Sequence, residues 1–179
     1  MSEAGHRTTE RWLHDEVETL ADLLRPGLRA VCVGINPAPG SVRAGHYYQG
    51  NLGQKFFGRL QQAGAVPPGR GGWQDDEAFA AGVGFTDIVK RPTRRAAEVR
   101  LEELEHGQGL LEAKLQQHGP PLVIFTFKQV ARKLFGHFEG NGFVSGLQLA
   151  DSEVFVMPGP YESAGTANTT LAELADYLS

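Results

Sequence analysis

The sequence predicts an α/β protein: a three-layer α/β/α sandwich built on a short, mainly parallel central sheet. Three observations carry that expectation. Residues 29–35 (RAVCVGI) and 122–127 (LVIFTF) are short and almost continuously apolar, as strands covered on both faces must be. Stretches of helical periodicity lie between such runs, and alternation of strand and helix implies a parallel sheet with helices on both sides. At 179 residues the chain has room for one full core and too little for two, so residues 1–179 are read as a single domain.

Along the chain, Trp12, Leu13, Val17, Leu20 and Leu24 recur at helical spacing and predict a helix over residues 9–24. Arg25-Pro26-Gly27 closes it, because proline cannot continue a helix and glycine supplies the turn. The first strand follows at residues 29–35, a helix at 56–63 and a loop at 67–72. Residues 83–89 form the second strand candidate, weakened by Gly84. Leu101, Leu104, Leu111 and Leu115 place a longer helix over residues 96–117, ended by Gly119-Pro120-Pro121. The third strand is 122–127 and a helix spans 128–135. Residues 143–149 and 154–157 read as two short strands. The last helix is expected to start near Thr170, where Thr170-x-x-Glu173 matches a capping box, and to bury Leu171, Leu174 and Leu178. No internal repeat or low-complexity stretch interrupts this order.

Composition narrows the function classes. With 41% hydrophobic and 21% charged residues the chain is ordinary for a globular protein. Its apolar runs are far too short for a bilayer span, and residues 1–6 lack the apolar core of a secretory signal, so a cytoplasmic location is expected. The single cysteine, Cys32, excludes disulfides, thiolate zinc sites and iron–sulfur clusters. The six histidines show no i,i+4 pairing, so neither a metal site nor a cofactor is expected. The net charge of -4 argues mildly against a nucleic-acid partner, but only the face that meets phosphate matters. Positive charge is clustered: Lys90, Arg91, Arg94, Arg95 and Arg100 form one group, and Lys128, Arg132 and Lys133 a second. Either group also reads as a solvated surface.

In parallel α/β folds ligands sit at the carboxyl ends of the strands, and chemistry is sought there. The first strand runs out at Gly34-Ile35-Asn36-Pro37. The Asn36 amide offers a donor and an acceptor, suited to holding a water and a substrate carbonyl together; its alternative is an Asx turn capping the strand. Gly45-His46-Tyr47-Tyr48-Gln49-Gly50 sets two tyrosines in a glycine loop, placed either to stack on a planar base or to plug a core edge. The second strand ends at Thr86-Asp87. If that strand neighbours the first, Asp87 shares a pocket with Asn36 and becomes a candidate general base; otherwise it pairs with the basic run after it. The third strand delivers Lys128 to the same end of the sheet. The last delivers Pro160, Tyr161, Glu162 and Ser163 on a stiff loop, which suits either a wedge into a base stack or plain ordering of the next helix.

Five segments in register, GINP at residues 34–37, GHYY at 45–48, KFFGRLQQAG at 55–64, GVGFTDIVKRPT at 82–93 and VMP at 156–158, resemble the mismatch-specific uracil-DNA glycosylases of bacteria and their relative, thymine-DNA glycosylase. The resemblance covers residues 28–178; the N-terminal helix over residues 1–26 lies outside it. It implies hydrolysis of the N-glycosidic bond of uracil, with thymine and other damaged bases as further candidates, in G·U and G·T mismatches. The nucleotide would be flipped out of double-stranded DNA, and the enzyme would be monofunctional, act as a monomer and need no cofactor. By position, Asn36 would be catalytic and place the attacking water on the sugar's anomeric carbon; Asp87 is read as a second catalytic residue from its strand-end place beside a basic run, not from the resemblance. Tyr48 would stack on the base, backbone groups near Ile35 and Tyr48 would hold its edge, and Gly34 and Tyr47 would also line the base-binding site. Arg91, Arg94 and Lys128 would meet phosphate, and residues 160–163 would enter the duplex.

Two departures from the family pattern stand out. The last loop carries Glu162 and no arginine, leaving Tyr161 as the bulkiest wedge. Asp87 adds a carboxylate where typical members rely on the asparagine. Two other function classes remain open to the residues alone: a DNA-binding module without catalysis, and a nucleotide hydrolase, although no Walker loop or acidic metal cluster is present for the latter.

Overall fold

In the structure, a computed structural model that describes residues 4–179, the chain opens with strands instead of the expected helix. β1 (Arg7–Trp12) and β2 (Asp15–Leu20) pair antiparallel, with Trp12 opposite Asp15. Burial alternates residue by residue along β1, which is the strand period. The threonines and Val17 suit a pleated, half-buried surface better than a helix. The two-residue turn holds Leu13 at φ 53°, a left-handed conformation that gives no sequence signal in a leucine.

The expected strands then assemble. β3 (Ala30–Gly34) is followed by two helices, α1 (Pro39–Ala44) and α2 (Asn51–Gln62), then α3 (Gln74–Ala80) and β4 (Val83–Asp87). A 3-10 turn at Ala96–Glu98 precedes α4 (Leu101–His118), after which come β5 (Leu122–Phe125), α5 (Lys128–Phe135), β6 (Gly142–Leu149), β7 (Ser152–Val156) and α6 (Ala164–Leu178). The sheet order is β4-β3-β5-β7-β6. Only β6, at the edge, runs antiparallel, against β7. The expected α/β sandwich with a mainly parallel sheet is the observed architecture.

Strand alternation divides the core between two faces. Ala30, Cys32, Ile124 and Phe155 pack with Phe56, Phe57 and Leu60 of α2 and with Leu171 and Leu174 of α6. Val31, Val33, Val123, Phe125 and Val154 pack on the other side with Leu111 and Leu115 of α4 and Val130 and Ala131 of α5. Trp12 of the hairpin joins this second cluster.

The helices depart from expectation in several places, with α2 starting five residues earlier and α4 five residues later than expected. α6 starts well before Thr170: Ser163 is its N-cap, its hydroxyl accepting from the Thr166 amide. Thr170 is buried in mid-helix, with its hydroxyl donating to the Thr166 carbonyl. α1 and α3 are additional, each too short to show a helical period in the sequence. Leu101, placed on the buried face of α4 by spacing, is 71% exposed at the first helical position. No helix among the described residues is long and apolar enough to cross a membrane.

Candidate active site

β3 and β4 are neighbours, and their register sets Gly34 opposite Asp87. Beyond the strand ends the pairing continues, as the Ile88 and Val89 amides donate to the Gly34 and Ile35 carbonyls at 3.0 and 2.8 Å. Asn36 and Asp87 are thereby fixed at adjacent strand ends. Both line a cavity of about 350 Å³ together with Leu20, Ser41, Tyr47 and Tyr48. A second hollow of about 280 Å³ adjoins it, lined by Gly34, Ile35, Phe56, Thr93, Arg94 and Phe127. Asn36 and Tyr48 belong to both. A larger hollow of about 700 Å³ lies along β6 beside Tyr177, away from every residue singled out in the sequence.

Asn36 does not cap its own strand. Its Nδ2 donates to the Arg91 carbonyl at 2.9 Å and to the Thr93 hydroxyl at 2.8 Å. A carbonyl can only accept, so the amide orientation follows from its partner. Thr93 in turn donates to the Arg95 carbonyl at 2.7 Å. Both amide protons are thus used by the protein, and the Asn36 side-chain oxygen is left as an acceptor. The sequence reading, which gave the amide both roles toward a ligand, is corrected on this point. Thr93, two residues past the Lys90-Arg91 pair, went unassigned in the sequence although it closes the 82–93 motif.

Asp87 also differs from its alternative reading. It makes no ion pair or hydrogen bond among the described residues, and its Oδ1 is buried without a partner. Burial pushes its carboxyl up to about 7, with the Lys90 ammonium pulling it partly back. Lys90 is itself buried, donating to the Leu20 carbonyl at 2.8 Å and to Asp22 at 2.6 Å. Lys114 reaches the other Asp22 oxygen at 2.7 Å. Burial would raise the Asp22 carboxyl, but the two lysines together hold it below its ordinary range. The basic run after the strand therefore serves another acid, and Asp87 stays unpaired.

Tyr48 has the second buried, unpartnered polar atom of the site, its hydroxyl. Gly34 explains why the two orphans meet there. A Cβ at position 34 would collide with Asp87 Oδ1 and touch the Tyr48 ring and hydroxyl, so only glycine lets both approach the strand end. Tyr48 takes φ 57°, strained for a side chain of its size. Gly53 allows it, since any Cβ there would strike the Tyr48 carbonyl. Phe56, Phe57 and Phe85 hold its ring at centroid distances of 5.3 to 5.8 Å. Burial keeps both tyrosine hydroxyls neutral, far above their ordinary range. Tyr47 is a core residue: its ring is buried edge-on to Tyr48, its hydroxyl donates to the Ala21 carbonyl at 3.0 Å and its amide to Asp75 at 2.8 Å.

The expected phosphate contacts fare differently from one another. Arg91 is committed, its guanidinium donating to both oxygens of the buried Glu103 at 2.7 and 2.9 Å and to the Glu98 carbonyl. Arg94 is exposed at the rim of the smaller hollow. Lys128 is half-buried at the start of α5 and makes no ion pair among the described residues. Pro160 to Ser163 lie between β7 and α6, where Tyr161 is 83% exposed. Lys55 lies over the Tyr161 ring at 4.6 Å, and Arg59 donates to the Gly159 carbonyl at 2.8 Å. Helix α2 thus holds this loop from one face while Leu52, Gly53 and Phe56 of the same helix line the pocket. Lys55 and Arg59 stood within a recognised motif, but nothing in their spacing pointed to the loop.

The Asn36 side-chain oxygen left as an acceptor, an unpaired carboxyl near neutrality and an aromatic wall thus share one site. In comparison with known proteins, residues 21–176 match the family model described as Uracil DNA glycosylase superfamily.

Proposed function

The chain belongs to the uracil DNA glycosylase superfamily, and on that premise we propose that it excises uracil, and thymine more slowly, from G·U and G·T mismatches by flipping the nucleotide out of the duplex. The observation that carries the reading is the juxtaposition of Asn36 and the unpaired Asp87 in one cavity beneath Tyr48. The flipped base stacks on the Tyr48 ring, with its edge toward the Gly34 and Ile35 backbone. The Asn36 oxygen accepts a hydrogen bond from a water and aims it at the anomeric carbon. Ionised Asp87 takes the proton as the water oxygen bonds to that carbon. The glycosidic bond breaks, and its electron pair leaves on the base. As that bond lengthens, and before taking the proton, the same carboxylate stabilises the positive charge that builds on the sugar. Arg94 and Lys128 contact phosphate, Arg91 braces the carbonyl that orients Asn36, and the Tyr161 loop fills the space left in the stack.

The test is a strand-cleavage gel. The chain is incubated in magnesium-free buffer with G·U, G·T and A·U duplexes and single-stranded uracil DNA, then treated with alkali. Strongest cleavage on G·U is expected, with a loss of roughly a hundredfold or more in Asn36→Ala and Asp87→Ala, the range that a positioned proton acceptor supplies. No cleavage of any substrate by the intact chain would overturn the glycosylase reading. Equal rates on G·U, A·U and single strands would remove the mismatch preference, and an unimpaired Asp87→Ala would remove that residue from the chemistry.

A further inference from the structure

Behind the Tyr47–Tyr48 loop, and outside the site just described, four side chains from three segments converge. His6 precedes β1, His46 sits in the loop between α1 and α2, and Asp75 and Asp76 lie in the first turn of α3. One donor atom from each, an imidazole nitrogen or a carboxylate oxygen, lies within 4.8 Å of all the others. We propose that His6, His46, Asp75 and Asp76 bind one divalent ion of borderline softness, of the Zn²⁺ class, as a closed structural site.

The geometry needs little adjustment. Tetrahedral zinc takes nitrogen and oxygen donors at about 2.0–2.2 Å, which sets them about 3.3 Å apart. The present separations are 2.8 Å from His46 Nδ1 to Asp75 Oδ1, 2.6 Å from His6 Nε2 to Asp76 Oδ1, and 3.9 Å from His46 Nδ1 to the other Asp76 oxygen, Oδ2. The two short pairs are hydrogen bonds whose protons an ion would replace. Charge points the same way. Asp75 is fully buried and His46 nearly so, and among the described residues no lysine or arginine is ion-paired with either carboxylate. Buried carboxylates are normally paired with a cation or bound to a metal. Imidazole with carboxylate suits zinc rather than magnesium, which prefers oxygen ligands and retained waters.

The surroundings are those of a held ligand set. Asp75 is oriented by the Tyr47 amide on Oδ2 at 2.8 Å and by the Asp76 amide on Oδ1 at 2.9 Å, the kind of support that fixes metal ligands. The Trp73 ring stacks on His46 at 4.0 Å and 9°, shielding one side. The His6 amide donates to the Gly45 carbonyl at 2.7 Å, bringing the first histidine to the second. Four protein donors leave no open position, so the ion would clip the hairpin and α3 to the loop that carries Tyr48, without entering the reaction.

Metal binding is measured on the untagged full chain after chelator treatment and dialysis. Titration with Co²⁺ alone should give one site with the intense visible bands of tetrahedral cobalt. Zn²⁺ should displace them and raise the melting temperature. His6→Asn and Asp76→Asn, both at partly exposed positions, should weaken Zn²⁺ binding roughly tenfold or more, while His137→Asn, an exposed histidine elsewhere, should leave it unchanged. Absence of a tetrahedral cobalt spectrum in the unsubstituted chain overturns the proposal whatever the variants do. So does Zn²⁺ affinity that is equal in all three variants and the parent.

Discussion

Asp87 carries two opposed pH dependences. Its carboxyl ionises at about 7 in the folded chain, against an ordinary 3.8, so the native state keeps a proton that the unfolded chain has lost. The contribution of Asp87 to folding stability is therefore full below about pH 4, falls as the pH rises toward 7 and levels off above it, by at most roughly 4 kcal/mol. Catalysis by the ionised form runs the other way. The rate of uracil release should climb through about pH 7, and Asp87→Asn should abolish the climb while making the chain more stable at pH 8. Urea denaturation at pH 5 and 8, beside a pH–rate profile, reads both effects. Lys90→Met removes the nearest positive charge and should move the activity limb to higher pH; an unmoved limb would mean that Lys90 does not tune Asp87. Asn36 and Asp87 were legible because they stand at strand ends, where a parallel sheet puts its ligands, and Tyr48 because its glycine-flanked loop follows the first of them. What each one bonds to was not. Arg91 looked like a phosphate contact because nothing in the linear order tells that Glu103, twelve residues on, is buried against it.

At the scale of elements, that same Glu103 ties three parts of the fold. It takes two hydrogen bonds from Arg91, one from the Arg100 amide at the start of α4 and one from Trp12 Nε1 of the hairpin at 3.1 Å. The Arg91 guanidinium is the main reason its carboxyl drops to about 2 from the usual 4.5. A lowered value means stability that is present above about pH 4.5 and lost as the pH falls toward 2. Glu103→Gln should destabilise the chain by about 2 kcal/mol near neutrality, the scale of one or two charged hydrogen bonds, and flatten its acid limb; thermal melts from pH 3 to 7 measure this. Ser163→Ala should cost about 1 kcal/mol through the lost α6 cap. The long periodic and apolar elements were legible: β3, β5 and α5 stand near their expected bounds, and α4 ends near its own while starting five residues later. The hairpin was not. Five apolar residues at helical spacing imitate a helix, and the turn that contradicts them is made by Leu13-His14, which carries no turn chemistry. Thr170 misled in a similar way, since a capping-box pattern also occurs inside a helix whose cap, Ser163, lies earlier.

Over the whole molecule, a net charge of -4 leaves few cations for DNA. Lys90 and Arg91 are spent on Asp22 and Glu103, so on the proposed reading Arg94 and Lys128 carry the electrostatic contact. Few phosphates are then neutralised, and affinity should depend only mildly on salt. Arg94→Ala and Lys128→Ala should each weaken duplex binding similarly on all sequences and lower the salt slope by about one. Fluorescence anisotropy with an uncleavable duplex across a salt series checks this, and an unchanged slope would remove the residue from the interface.

The hairpin has a last consequence. The family match begins at residue 21, yet Leu20 lines the cavity and its carbonyl holds Lys90, Trp12 anchors Glu103, and the Ala21 amide donates to the His6 carbonyl. A segment so tied cannot open on its own without breaking the charge network behind Asp87. Its amides should therefore resist hydrogen exchange as strongly as those of β3, opening only when the whole molecule does. A chain shortened to the matched region would lose part of one cooperative unit, and its remaining residues would be a damaged enzyme rather than a minimal one.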